Sequence, residues 1–262
     1  MRIVRFLRES GDRPSWGWVT EDRVGTIDGS PYEPFRRQDA LLSLDKITLL
    51  APVVPQKIIG VGWNYRVHAE ELQADVPKVP LIFFKPPSSL IGPGETILLP
   101  PQSNQVEHEG ELAVVVGKRG RWVNPNEAMQ IVLGYTIAND ITARDLQKSD
   151  DQWTRAKGFD TFCPIGPWIE TELEPTDMMI RCTVNDQMRQ LASTRDMIFS
   201  VRELIAFISS IMTLEPGDLI LTGTPAGVSK LTPGDEVTVE IEGIGSLTNF
   251  VKADIQSKNN PG

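Results

Sequence analysis

Residues 109–116 read Glu-Gly-Glu-Leu-Ala-Val-Val-Val, a run with little choice but to form a strand. Three consecutive valines stiffen the backbone toward the extended region, and five unbroken apolar residues suit a sheet covered on both faces. Side chains two apart on a strand share a face. Glu109 and Glu111 are therefore set side by side at the edge of an apolar core. Two carboxylates placed so repel each other, and burial adds a desolvation cost. A hard divalent cation that prefers oxygen ligands (magnesium, manganese or calcium) removes the penalty. A second apolar run, Ile131–Ala138, leads into Asn139-Asp140 and offers Asp140 as a third ligand. The same spacing also fits ordinary acids on a solvated edge, and by itself it leaves both readings open.

The rest of the composition narrows the classes. A chain of 262 residues holds one large domain, or one domain and a small appendage. A net charge of −9 argues against nucleic acid and anionic membrane surfaces as main partners, but says little about a small anionic substrate. The two cysteines, Cys163 and Cys182, lack zinc-site spacing and fit a reducing compartment better than a disulfide frame. No apolar stretch reaches membrane-spanning length, and Met1–Phe6 alternates like a strand instead of forming a signal-peptide core. The expectation is a cytoplasmic protein.

Turn residues divide the chain. Residues 1–53 are expected to form a small N-terminal β domain. Its parts are strands at Ile3–Phe6, Trp16–Val19 and Arg23–Ile27, a short helix near Asp39–Leu44 and a strand at Ile47–Leu50, closed by Pro52 and Pro55. Residues 54–255 read as a second, β-rich domain, and 256–262 as a frayed tail. In that domain, strands are expected at Lys57–Val61, Leu81–Lys85, Thr96–Leu99, Glu111–Gly117, Val132–Asn139, Pro167–Glu170, Met179–Val184, Leu219–Thr222 and Glu236–Ile241. Helices are expected over Asn124–Met129 and Ser200–Met212. The latter carries a Ser200/Glu203 capping box and an apolar stripe.

Several other segments can carry chemistry. In Gly60-Val61-Gly62-Trp63-Asn64-Tyr65, Tyr65 stands where a dinucleotide-binding loop needs its third glycine, so that reading fails. His68 and Glu71, three apart, share a helix face. A carboxylate there makes an imidazole a better base, though a surface ion pair has the same spacing. His108 falls on the opposite strand face from Glu109 and is read as structural. Arg144 and Gln147, one helical turn apart, can hold a carboxylate or enolic oxygen. Lys157 lies between aromatic residues. The loop Leu221–Val228 ends a strand with two glycines that let backbone N–H groups approach an anion. Lys85-Pro86-Pro87-Ser88 has no assigned role.

Taken in order, Gly62–Tyr65 with His68 and Glu71, Phe83–Pro86, His108–Leu112, Asn139–Gln147, Lys157–Asp160 and Glu215–Val228 resemble the fumarylacetoacetate hydrolase family over roughly residues 55–252. The first fifty residues resemble the small N-terminal domain of many bacterial members, including acylpyruvases and 2-hydroxyhepta-2,4-diene-1,7-dioate isomerases. The resemblance implies a mixed, β-rich α+β fold with a roll or barrel-like core, a homodimer, and magnesium, manganese or calcium on Glu109, Glu111 and Asp140. It implies a catalytic His68–Glu71 dyad on a segment that orders over the substrate. Lys157 also becomes catalytic, and Arg144, Gln147 and Thr224 become substrate-binding residues. The implied substrate is a small 2-oxo acid. The implied reaction is hydrolytic carbon–carbon cleavage through an enolate, with oxaloacetate decarboxylation or tautomerisation, dienedioate isomerisation and non-catalytic metabolite binding as alternatives.

Overall fold

A computed structural model describes residues 1–8 and 13–254; the tail expected over 256–262 lies outside the described residues. Gly110–Val116 takes a central place in a twelve-stranded sheet. On one side follow Val132–Asn139, Cys163–Glu170, Arg2–Leu7, Ser15–Thr20, Arg23–Asp28 and Arg36–Ser43. On the other follow Leu219–Leu221, Ile58–Gly62 and Leu81–Lys85. Thr48–Leu50 and Leu90–Ile91 pair off this path. A second, five-stranded sheet runs Gln187–Ser193, Met179–Val184, Glu236–Ile241, Gly245–Ala253, Thr96–Leu99. Among the described residues neither sheet closes into a barrel, and the two pack as a roll.

The valine run is buried on both faces, as its unbroken apolar character requires. Leu112, Val114 and Val116 pack in one cluster with Ile180, Cys182, Val237, Val239 and Ile241 of the second sheet. Ala113 and Val115 point the other way, into a cluster with Ile58, Ile165, Leu219 and Leu221. Each such burial is worth roughly 1.5–3 kcal/mol, so the register is strongly fixed. A one-residue slip would turn Glu111 to the opposite face along with its neighbours.

The described helices are short, apart from the last: α1 (Arg66–Glu71), α2 (Arg144–Ser149), α3 (Thr154–Lys157) and α4 (Val201–Ile211). α4 has the expected capping box between Ser200 and Glu203 and buries Leu204, Ile205 and Ile208.

Some expectations are corrected. The helix near Asp39–Leu44 is instead part of the strand Arg36–Ser43, which pairs with Arg23–Asp28 and lays Leu42 against Val4 and Phe6. Ladder hydrogen bonds and that apolar contact outweigh a weak local helical signal. Over Asn124–Met129, Asn124 Oδ1 accepts from Asn126 N–H (2.9 Å), and the segment resolves into turns before a single 3-10 turn at Ala128–Ile131. The strand expected over Pro167–Glu170 starts earlier, at Cys163. Three two-residue strands (Leu90–Ile91, Val106–Glu107, Thr142–Ala143) and two longer ones gave no signal. Gln187–Ser193 is a largely polar edge strand, and Gly245–Ala253 places Asn249 at an inward position between Leu247 and Val251, where it donates to Gly92 O and Glu95 O.

Candidate metal centre

Strand register brings the three carboxylates together. Gly110 pairs with Asn139 across the antiparallel ladder, so Glu109 and Asp140 are the next positions beyond it. The Asp140 N–H donates to Glu109 O (2.8 Å) and fixes that step. Strand parity adds Glu111. Each of the three offers an oxygen within 4.8 Å of the others, and all three side chains are buried.

Cations surround this cluster. Lys157 Nζ lies 2.6 Å from Glu109 Oε2 and 2.7 Å from Asp140 Oδ2. Lys85 Nζ is 2.6 Å from Asp140 Oδ1. Arg144, 1% exposed, donates to Glu107, Glu109 and Gln147. Four carboxylates (Glu107, Glu109, Glu111, Asp140) thus face three cations (Lys85, Lys157, Arg144), leaving one negative charge uncompensated. The geometry identifies it as Glu111. Its Oε2 accepts the Gly223 N–H (2.7 Å), and among the described residues it has no salt-bridge partner. Burial, then Asp140 and Glu109, push the Glu111 carboxyl well above the usual carboxylate range. Burial pushes Glu109 the same way, but Lys157 and Arg144 overcome it and hold that carboxyl well below the usual range. A buried carboxylate lacking charge compensation between two others is a fit for a divalent cation.

His68 and Glu71 project from α1. His68 Nδ1 is 3.1 Å from Glu71 Oε2, which leaves Nε2 as the free base when Nδ1 carries the proton. Burial lowers the His68 pKa and outweighs Glu109 and the Glu71 hydrogen bond, which oppose the shift, so the site favours the neutral imidazole. Glu71 is held in turn by the Gly227 N–H, 3.1 Å from Oε1. Gly227 has φ +102°, and a Cβ there would meet Arg189 O at 2.0 Å, so only glycine allows this approach.

His68, Glu109, Glu111, Arg144, Gln147, Lys157 and Thr224 line one narrow cavity with Trp63 and Trp153. Glu71 reaches it through His68. The Arg144 contact takes up the Gln147 carbonyl oxygen and leaves its NH₂ group as the donor that residue can offer. The Thr224 hydroxyl donates to Gly110 O (2.9 Å) and accepts from Gln190 Nε2 (2.8 Å), so it ties the loop to the carboxylate strand. A wider groove of about 770 Å³ lies elsewhere, over Trp168, Met179, Met188 and Leu191. It carries the exposed Arg181–Glu240 pair but no cluster of buried ionisable groups, so chemistry and not size marks the site.

Sequence reading left several groups out. Lys85 had no role, and Glu107 was not singled out. Gln190, fully buried, accepts from the Gly110 N–H (3.0 Å) and contacts His108 Nδ1 (3.2 Å) as well as Thr224. His108 is structural, as its strand parity predicted. Its Nε2 pairs with Ser229 Oγ (2.9 Å), and burial pushes its pKa down to about 4.

A family model described as fumarylacetoacetate (FAA) hydrolase C-terminal matches residues 57–252, and an Rv2993c-like N-terminal model matches residues 1–52. The chain is 39% identical to the mitochondrial oxaloacetate tautomerase FAHD2B of Bos taurus, over 96% of this chain and 91% of that protein. The structure of 2-hydroxyhepta-2,4-diene-1,7-dioate isomerase from Mycobacterium marinum is 42% identical, with TM-score 0.89 over 98% of this chain and 100% of that one. Maleylpyruvate hydrolase from Sphingobium sp. SYK-6, in complex with manganese (II) ion and pyruvate, is 31% identical, with TM-score 0.78 over 97% and 99%.

Proposed function

The chain belongs to the fumarylacetoacetate hydrolase family of enzymes, and from that membership we propose a divalent-metal-dependent hydrolase that cleaves a carbon–carbon bond of a small acylpyruvate-like 2-oxo acid. The observation that carries this reading is His68, held by Glu71, in one cavity with Glu109 and Glu111, whose oxygens lie within 4.8 Å of an Asp140 oxygen. Glu109, Glu111 and Asp140 would hold magnesium, manganese or calcium. The manganese and pyruvate bound to the Sphingobium hydrolase support the ion class and the pyruvoyl end of the substrate. When bound, the ion supplies Lewis-acid polarisation of the substrate's oxygens and positive charge against an enolate.

The protein's own groups do the rest. His68 Nε2 takes a proton from water, and the hydroxide adds to the distal carbonyl carbon. Lys157 and the Gln147 NH₂ group offer hydrogen bonds to the oxyanion that forms. The bond from that carbon to the methylene beside the 2-oxo group then breaks. Its electron pair stays with the methylene as the pyruvate enolate, which recovers the proton from His68. The distal acyl group leaves as a carboxylic acid. Arg144 fixes Glu109, and the loop at Thr224 closes the far wall.

A second reading is proton transfer alone, as keto–enol tautomerisation or isomerisation. The tautomerase and isomerase relatives support it. Turnover of acetylpyruvate, fumarylpyruvate, oxaloacetate and a hydroxy-dienedioate, with magnesium, with manganese and with chelator, separates the readings. Metal-dependent pyruvate release from an acylpyruvate supports hydrolysis; carbon dioxide from oxaloacetate alone marks a decarboxylase; a proton shift without either product marks a tautomerase. Glu109→Ala should lose ion affinity and turnover together, whereas a non-catalytic binding protein would show no turnover to lose. The working form is proposed to be a cytoplasmic homodimer with neither nucleic acid nor membrane as partner, and sedimentation velocity tests the dimer. No helix among the described residues is long and apolar enough to cross a membrane.

A further inference from the structure

A train of aromatic rings leads outward from the carboxylates. Lys157 Nζ, bonded to Glu109 and Asp140, also lies 5.0 Å from the centre of the Phe83 ring. Phe83 meets Trp153 edge-on at 5.4 Å, and Trp153 meets Trp63 edge-on at 5.2 Å. All three residues are half-buried; the Phe83 ring lies against Gly60 with Lys157 over it and backs Trp153. Trp63 and Trp153 line the same cavity as the carboxylates and His68.

Two features hold the train in place. Gly60 and Gly62 lie beneath it on the strand Ile58–Gly62. A Cβ on Gly62 would meet Trp153 at 2.7 Å, and one on Gly60 would meet Phe83 at 2.2 Å, so any side chain at either position forces a ring aside. Trp63 itself has φ 53°, an unfavourable conformation for a bulky residue. The next residue, Asn64, is fully buried and clamps the backbone there. Its amide donates to Thr222 O (2.8 Å) and Phe199 O (3.0 Å) and accepts from Phe199 N–H (2.8 Å).

Charge defines what such a wall selects. The lysine and arginine lining the cavity are Lys157 and Arg144, and both are engaged by carboxylates at its inner end. Among the described residues lining the cavity there is no further lysine or arginine for a second carboxylate. Aromatic faces favour flat, polarisable, uncharged groups. We propose that Trp63 and Trp153, with Phe83 as their backing, receive the distal part of the substrate and select a flat, uncharged acyl group, conjugated or aryl, over a second carboxylate. This rests on the reading that the inner end holds a 2-oxo acid.

The test uses the full chain loaded with magnesium, with benzoylpyruvate, acetylpyruvate and oxaloacetate as probes. Wild type should show kcat/KM for benzoylpyruvate at least tenfold above acetylpyruvate. In Trp153→Leu that ratio should fall to about threefold or less, and Trp153→Phe should keep most of it. Calorimetric titration with benzoylpyruvate in a His68→Ala background, where cleavage is held back, adds a readout independent of turnover, and Kd should rise about tenfold when Trp153→Leu is added. Should no probe be turned over while benzoylpyruvate binds with this dependence on Trp153, the ring subsite stands and the hydrolytic reading falls. Equal efficiency on all three probes, a ratio unmoved by Trp153→Leu, or no binding of benzoylpyruvate overturns the proposal.

Discussion

Lys85 Nζ lies 2.6 Å from Asp140 Oδ1, and both side chains are closed off from solvent. Removing one partner of a buried pair leaves the other charge uncompensated, at a cost of about 3–5 kcal/mol. Asp140 keeps Lys157 at 2.7 Å, so Lys85→Met should destabilise the metal-free protein by less than that full amount. Magnesium should recover part of it, because the cation replaces the missing charge. Denaturant unfolding with and without magnesium checks both halves; an unmoved midpoint would remove Lys85 from the centre's framework.

Glu111 predicts how ion binding depends on pH. Its carboxyl is pushed upward by burial, Asp140 and Glu109, so it keeps a proton to higher pH than an ordinary glutamate, and an ion must displace that proton. Affinity for magnesium should weaken as pH falls, and binding should release protons. Calorimetry in two buffers of different ionisation enthalpy measures the release directly. Glu111→Gln should lose both the release and most of the affinity, and a pH-independent Kd for wild type would contradict the assignment.

The dyad gives a separate signature. His68→Ala should leave the magnesium Kd within about twofold and lower carbon–carbon cleavage by about 10²–10⁴-fold, the range for a positioned general base. Undiminished cleavage would sink the role. In wild type, burial lowers the His68 pKa, so the base stays neutral below its usual 6.5 and the acid limb of kcat/KM should lie below that pH. The Glu71 hydrogen bond opposes the shift. Glu71→Gln should move the limb further to acid while lowering the rate.

His108 should govern acid stability. The unfolded chain takes up its proton near 6.5, the folded one not until about 4. Stability from this residue is complete above 6.5 and is lost as pH falls toward 4, by ~3 kcal/mol in all. His108→Gln should flatten the fall of unfolding free energy across that window relative to wild type. Equal slopes for the two proteins would show that the imidazole is protonated inside the fold.

Local rules were enough for part of this molecule. Unbroken apolar runs located Gly110–Val116, Val132–Asn139 and Leu219–Leu221, and the Ser200/Glu203 box located the start of α4. They failed where a strand is held by its neighbours and not by its own pattern. Arg36–Ser43 and Gln187–Ser193 are edge strands with mostly exposed residues, so no alternation marks them. Lys85 and Asp140 are 55 positions apart, and Gln190 and Thr224 are 34 apart. Nothing periodic connects residues so distant.

The sequence alone determined that Glu109 and Glu111 share a face at the edge of an apolar strand, because strand parity is a local property of the backbone. The tertiary structure decided the rest of the centre. Sheet register set Asp140 beside Glu109, and the fold delivered Lys85, Lys157 and Arg144 to particular oxygens. Glu111 was left as the carboxylate without a cation, and aromatic rings were ranged beyond it. Charge compensation and edge-on ring contacts depend on distances of a few ångströms between residues remote along the chain, and only folding sets those distances.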